Sequence, residues 1–537
     1  MKLLIIGFDG ATFDLIRPWA QQGHLPNLAK LMQQGVHGDL LSTLPPVTSP
    51  AWPTFMTGCN PGKHGVFDFI QPHGDNFTLV NATRIRQPTI WQRLSQAGYR
   101  VGVMNVPITY PPSAVNGFLI AGLLSPKGSR NSYPDDLITR YEAEFGPYRV
   151  APNIQYKPGV EAEFIADLYD LIHTRGKWAL GLMDREPVDV LMVHFIAMDV
   201  MKHALWRFMD HNHPRHEASA FEHAIRDGYK LVDEYIGKLM AKLPPQAHTL
   251  VMSDHGFGPL LNMVNLNVFL MEKGLMKLKR DPWTQLKAWS FRHGITPSTA
   301  YQWIVRLGLQ NLVASVSKKA RNDVIGKFLS FDSVDWQRTT AYSMGHVGQI
   351  YLNVRGRDDH GSIDPADYVQ KRAEVIEVLG KLRDNNGRSI LSNVITSETA
   401  YHGPYAAKGP DLHLVLDDYN MIACPLFATE GKVLSEQIRG DSGCHRSEGI
   451  FLAQGPRIKT GESLPANNIL DLAPTIMHLL GEAVPAVMDG RVLTEIFNSP
   501  QAVIYAADET ADLVNEAGFN KDEADQVEER LRGLGYL

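Results

Sequence analysis

"LLIIGFDG", Leu3–Gly10, is a short apolar run that stops at a carboxylate, Asp9. A secretory leader needs an uninterrupted apolar segment of about seven residues or more, so a buried strand is the reading that fits. The pattern repeats. "LPNLAKLMQQG" comes next with helical periodicity, then "TIWQRLSQAG" and the strand-like "YRVGVMNV". "VDVLMVHFIAMD" precedes a long amphipathic stretch from Ala218 to Leu243, and "HTLVMSD" closes the series. Apolar runs alternating with helical periods predict βαβ units: a mainly parallel sheet covered by helices on both faces.

The rhythm breaks after Gly256. Residues 261–404 read as an inserted α+β cap, with a helical segment "TAYQWIVRLGLQNLV" and an antiparallel strand in "GQIYLNVRG". Strand-like runs return at "DLHLVLDD" and "EGIFLAQG", and "NILDLAPTIMHLLG" is expected as a helix on the sheet edge. The division is therefore a core in two parts, 1–260 and 405–500, the cap between them, and a charged helical tail, 501–537. From Asp508 onward that tail is expected to be a solvated helical hairpin.

The 537 residues carry a net charge of −6, which disfavours nucleic-acid polymers as substrates. Cys59, Cys424 and Cys444 are odd in number and lack CxxC spacing; a reducing, cytoplasmic setting is expected. No uncharged apolar stretch approaches the ~18–20 residues of a membrane span, so no membrane insertion is expected. "GFDG" lacks the glycine pattern and helix opening of a dinucleotide fingerprint.

Open α/β sheets bind ligands beyond the carboxyl ends of their strands. Asp9 follows "LLIIGF"; Asp199 follows "LMVHFIAM", with His203 four residues on; Asp254 and His255 follow "HTLVMS"; His445 precedes "EGIFLAQG". Six carboxylate and imidazole donors are enough for two divalent ions, with Zn²⁺ favoured and Mn²⁺ or Fe²⁺ compatible. His194, His346, His360, His402 and His413 are read as structural, His194 as a packed, hydrogen-bonded residue inside its strand.

A second stretch supplies hydroxyls. "LPPVTSPAWPTFMTGCNPGKHGVFDF", Leu44–Phe69, places Thr48 and Ser49 among Pro46, Pro50 and Pro53, which predicts a rigid, non-repeating connection. Thr48 is followed by Pro50, Thr57-Gly58, Pro61 and His64-Gly65. That spacing, with "DVMKH", "SDHG" and "GDSGCHRSEGIF", resembles the alkaline phosphatase superfamily, and most closely its type I phosphodiesterase/nucleotide pyrophosphatase branch.

The resemblance implies an alkaline-phosphatase-like three-layer α/β sandwich. It implies one metal on Asp199, His203 and His445, and a second on Asp9, Asp254, His255 and the Thr48 oxygen. Thr48 is then the nucleophile of a two-metal hydrolase of phosphodiester or pyrophosphate bonds in a small phosphate ester, acting through a phospho-threonine. Ser49 is left as a hydrogen-bonding or capping neighbour. The branch carries an Asn where this chain has Phe69, which is read either as buried scaffold or, if its side chain faces the cleft, as an aromatic face for a substrate group. Asn105, Lys63, Lys202 and Arg446 are candidate substrate contacts. The alternatives are a phosphomonoesterase or phosphomutase of the same superfamily, and a non-catalytic metal-stabilised binding protein; a sulfatase is disfavoured because it would carry Cys at position 48.

Overall fold

Leu3–Phe8 is buried at every position and lies near the middle of a ten-stranded sheet. In the computed structural model all residues are described except 75, 297–328, 425–426, 428–430, 437–439, 508–517 and 537. The segment "TAYQWIVRLGLQNLV" therefore falls outside the described residues. Across the sheet the order is Glu462–Ser463, Val36–Leu41, Glu448–Gln454, His248–Met252, Leu3–Phe8, Val190–Phe195, Val101–Met104, Gly117–Ile120 and Ser132–Tyr133. Asn467–Asn468 also pairs with Val36–Leu41.

The five strands from His248–Met252 to Gly117–Ile120 are mutually parallel. Buried on both faces, they carry apolar residues almost continuously, as the sequence does. Glu448–Gln454 runs antiparallel to its neighbours, and Ser132–Tyr133 antiparallel to Gly117–Ile120. Register brings the strand ends together. Phe8 pairs with Phe195 and Gly7 with Met252, so the residues just past these three strands emerge at one edge.

Two groups of helices flank the sheet. Pro26–Gln34, Glu161–Arg185, Ala197–Met209 and Ala224–Ala241 pack on one another; Thr48–Thr57, Ile90–Gln96 and Leu472–Leu480 form the other group. Leu472–Leu480, expected at the sheet edge, packs on Thr48–Thr57. The latter comes close to the sheet because Gly7 has no side chain: a Cβ there would lie 2.6 Å from Trp52 Cη2 and 2.9 Å from Met192 Cε. Both neighbours are buried. Gly7→Ala is therefore expected to lose about 1–3 kcal/mol of stability by overpacking, read as a lower denaturant midpoint at unchanged slope.

A smaller sheet orders Ala341–Ser343, Gln349–Leu352, Leu412–Leu416 and Leu391–Thr396, all antiparallel. It has its own apolar cluster, including Phe269, Ile350, Leu379 and Leu414. "GQIYLNVRG" thus supplies an antiparallel strand. Leu412–Leu416 joins this sheet rather than the large one.

The tail departs from the sequence reading. Lys521–Leu534 is a helix with an Asn520 capping box, but only one face is solvated: Val527, Leu531, Leu534 and, beyond the helix, Tyr536 are buried in the main core. The i, i+4, i+7 apolar stripe, thin among dense charges, drives this burial. The preceding part of the expected hairpin, 508–517, lies outside the described residues.

Candidate active site

Thr48 begins a helix, Thr48–Thr57, whose ten residues are all buried. The sequence predicted a non-repeating connection here, and the physical reason for the difference is the position of the prolines. Pro50 falls in the first turn, where an N–H would lack an intrahelical acceptor anyway; only Pro53 removes a helical bond. Gly58 ends the helix at φ 66°, donating its N–H to Thr54 O. The Thr54 hydroxyl meets His64 Nε2 at 2.9 Å, and Val66 N–H donates to Nδ1 of the same ring. His64 thereby braces the helix as a buried neutral imidazole, its pKa pushed down to about 3 by burial. Ser49 neither caps nor bonds: its buried Oγ has no hydrogen-bond partner among the described residues.

Around Thr48 the strand ends converge. Asp9, Asp199, Asp254 and His255 are all fully buried, as is Thr48 itself. Asp199 and His203 occupy one face of Ala197–Met209, with Oδ2 and Nε2 3.6 Å apart. His445 lies on Gly443–Arg446, an antiparallel partner of Gly256–Pro259, and its ring stacks on His255 with centroids 3.6 Å apart. His445 Nε2 is 3.3 Å from Asp199 Oδ1, and His255 Nε2 is 3.3 Å from Asp254 Oδ2 and 3.6 Å from Asp9 Oδ1. Thr48 Oγ1 is 3.2 Å from His255 Nε2.

The imidazoles share one arrangement. Nδ1 of His203, His255 and His445 each faces a backbone carbonyl, of Gly443, Gly256 and Pro46, at 3.0–3.1 Å. A carbonyl only accepts, so each Nδ1 carries the proton and each Nε2 turns a lone pair toward the carboxylates. His203 Nε2 and His445 Nε2 sit 3.0 Å apart. Two lone pairs at that distance call for a cation between them.

The carboxylates make the same demand. Asp9 Oδ1, Asp199 Oδ1 and Asp254 Oδ2 are buried with no hydrogen-bond partner among the described residues. Burial first, and then repulsion from neighbouring carboxylates, push Asp9 and Asp254 well above the usual range, while burial pushes His203 down to about 3. Two compatible donor sets result, Asp199/His203/His445 and Asp9/Asp199/His255, with Asp199 common to both. The residues fit divalent metal ions: anionic oxygens and neutral nitrogens, pre-oriented by second partners.

The surrounding candidates are engaged in other ways. Lys202 is fully buried; its ammonium donates to the carbonyls of Gly10 and Asp9, and burial pushes its pKa down to about 8 against the opposing pull of the Asp199, Asp9 and Asp254 carboxylates. Lys63 pairs with Asp489 at 2.5 Å and donates to Val487 O. Arg446 donates to the carbonyls of Tyr419 and Pro259 and to Asn420 Oδ1, tying the Tyr419–Asn420 turn and the end of the partner strand to its own strand. Asn105, at φ 64°, donates to Ala121 O and accepts from Tyr148.

Two site residues escaped sequence reasoning. His194 is packed and hydrogen-bonded inside its strand as read, but its partner is Asp9: Nε2 to Oδ2 is 2.7 Å, with Nδ1 on Asn105 O at 2.9 Å. Its polar ring in an otherwise apolar strand was the available signal. Tyr536 is the other. Its hydroxyl donates to Asp199 Oδ2 at 2.7 Å, and its ring packs on Phe69 at 4.7 Å. Phe69 is fully buried and packs on the tail, in keeping with the scaffold reading of this position.

Residues 3–424 match the model of the family described as type I phosphodiesterase/nucleotide pyrophosphatase; His445 lies beyond that match. Among solved structures, human ectonucleotide pyrophosphatase/phosphodiesterase 5 (ENPP5, NPP5) aligns with a TM-score of 0.50 at 17% identity, over 93% of this chain and 100% of that one. The murine protein of the same name aligns at 0.49 and 14%, over 93% and 100%. No curated protein matches the sequence. The fold is the alkaline-phosphatase-like α/β sandwich, and the chain belongs to the type I phosphodiesterase/nucleotide pyrophosphatase family.

Proposed function

We propose that this chain hydrolyses phosphodiester or pyrophosphate bonds of small phosphate esters through a covalent phospho-threonine on Thr48. The observation that carries this reading is the set of three Nε2 lone pairs turned toward three carboxylate oxygens that lack a hydrogen-bond partner among the described residues, beside a buried threonine hydroxyl. Asp199, His203 and His445 would hold one divalent ion, and Asp9, Asp254, His255 and the Thr48 oxygen a second. Such ions, Zn²⁺ above all and Mn²⁺ or Fe²⁺ as alternatives, supply positive charge to phosphoryl oxygens and lower a hydroxyl pKa.

The chain's own residues do the rest. Thr48 stands at the N-terminus of a ten-residue helix, where backbone N–H groups and the helix dipole favour an anion. Thr48 Oγ1 bonds to phosphorus as the leaving oxygen departs; water then cleaves that ester and restores the hydroxyl. His194 fixes one oxygen of Asp9 and leaves the other toward the cluster.

The same reading keeps the core as 1–260 and 405–500, the cap as 261–404 with Leu412–Leu416 completing its sheet, and the tail as 501–537. Three cysteines without paired spacing fit a reducing, cytoplasmic setting. Among the described residues no helix is long and apolar enough to cross a membrane.

A monoester dianion requires an extra cation, and Lys63, Lys202 and Arg446 are all held by other partners. Diesters are therefore expected over monoesters. kcat/KM for bis-p-nitrophenyl phosphate against p-nitrophenyl phosphate, on one metal-loaded preparation, decides it. A clear monoester preference supports the phosphomonoesterase alternative, and no turnover of either, with metal bound, supports the non-catalytic one.

A further inference from the structure

Residues 518–536 run along the core and end in the site. Glu523 accepts from Tyr110 OH at 2.8 Å, Gln526 from Lys127 N–H at 3.0 Å, and Arg530 donates to the carbonyls of Leu123 and Ser125 at 2.7 and 2.5 Å. Beyond the helix, Gly535 turns at φ 92° and its carbonyl accepts from His346 Nε2 at 2.7 Å. This delivers the Tyr536 ring among Phe69, His203, His346 and His445, with its hydroxyl on Asp199.

The position matters because of what must enter. Substrate has to bring a phosphorus atom to Thr48 and its leaving oxygen to the opposite side, yet Thr48, Asp9, Asp199, Asp254 and His255 are 0% exposed. The cavity between Tyr536, His346 and His445 is about 20 Å³. That is space for about one water molecule and not for a phosphoryl group with its ester substituent.

We propose that the 518–536 segment is an active-site plug: Tyr536 occupies the approach to Thr48 and Asp199, and substrate binds only when this segment lifts. The proposal rests on the reading of Thr48 and its neighbours as the active site. The apparent affinity of any ligand for the site is then its intrinsic affinity multiplied by the open fraction. Arg530 and Tyr536 lie at different points of the segment, and weakening either raises that fraction. Arg530 is informative because, among the described residues, its hydrogen bonds go to Leu123 and Ser125 and to none of the site residues.

The test uses full-length wild-type protein, Tyr536→Ala and Arg530→Ala, each loaded with Zn²⁺ or Mn²⁺. Metal content, the affinity for inorganic phosphate by calorimetry, and hydrogen exchange of 521–536 are measured on all three. Both variants are expected to bind phosphate about tenfold more tightly or better, and phosphate should accelerate exchange across 521–536 in the wild type. Equal metal content with unmoved phosphate affinity in both variants overturns the plug alone. Weaker phosphate binding by Tyr536→Ala overturns it in favour of a tyrosine that contacts substrate. Absence of bound metal in all three overturns the underlying site reading and the plug with it.

Discussion

Thr48→Ala is expected to lower kcat by roughly 10³-fold or more, because the substitution removes the atom that would form the proposed covalent bond. The neighbouring hydroxyl provides the control. Ser49 Oγ is buried beside it yet has no hydrogen-bond partner among the described residues, so Ser49→Ala deletes no protein contact. A lost support contact is worth about 1 kcal/mol, less than tenfold in rate. Thr48→Ser keeps a hydroxyl at the helix N-terminus and should recover most of the activity that alanine loses. Steady-state kinetics on the three variants, with unchanged metal content as the check on folding, separates the roles. The reverse ranking of alanine variants would transfer the nucleophile to Ser49.

The parts of the site legible in the sequence are those set by local physics. Asp9, Asp199 and the Asp254/His255 pair could be found because a strand buried on both faces is an apolar run, and the first acidic residue after it marks the carboxyl edge. That these edges are adjacent is a matter of register between strands far apart in the chain, which no local pattern encodes. The Thr48 stretch was misjudged for a local reason: three prolines outweighed the helix that tertiary burial of Trp52 and Phe55 enforces. Tyr536 was hidden differently. Its helix has 14 residues with dense charge and only a narrow apolar stripe, so composition spoke for solvent while Val527, Leu531 and Leu534 set its docking. Leu412–Leu416 was legible as a strand but its sheet was not, since either sheet accepts the same alternation.

Metal-loaded protein should hold about two divalent ions per chain, and His445→Ala about one. His445 contributes Nε2 to the group formed with Asp199 and His203, whereas Asp9, Asp254 and His255 follow other strands and lose only the ring stacked on His255. The variant also leaves His203 Nε2 without the ring that faces it at 3.0 Å. Loss should therefore be selective rather than total. Chelation of both ions is expected to abolish turnover and to lower the melting temperature, because ions that bind only the folded state stabilise it: about 2.7 kcal/mol per site at a hundredfold excess over Kd. The size of that shift reports on the cluster directly, since without ions three buried carboxylate oxygens face one another with no donor among the described residues. Elemental analysis after reconstitution, with thermal melts before and after chelation, measures both. Two ions retained in His445→Ala would remove His445 from the ligand set, and a melting temperature indifferent to chelation would mean that the cluster satisfies its charges without metal.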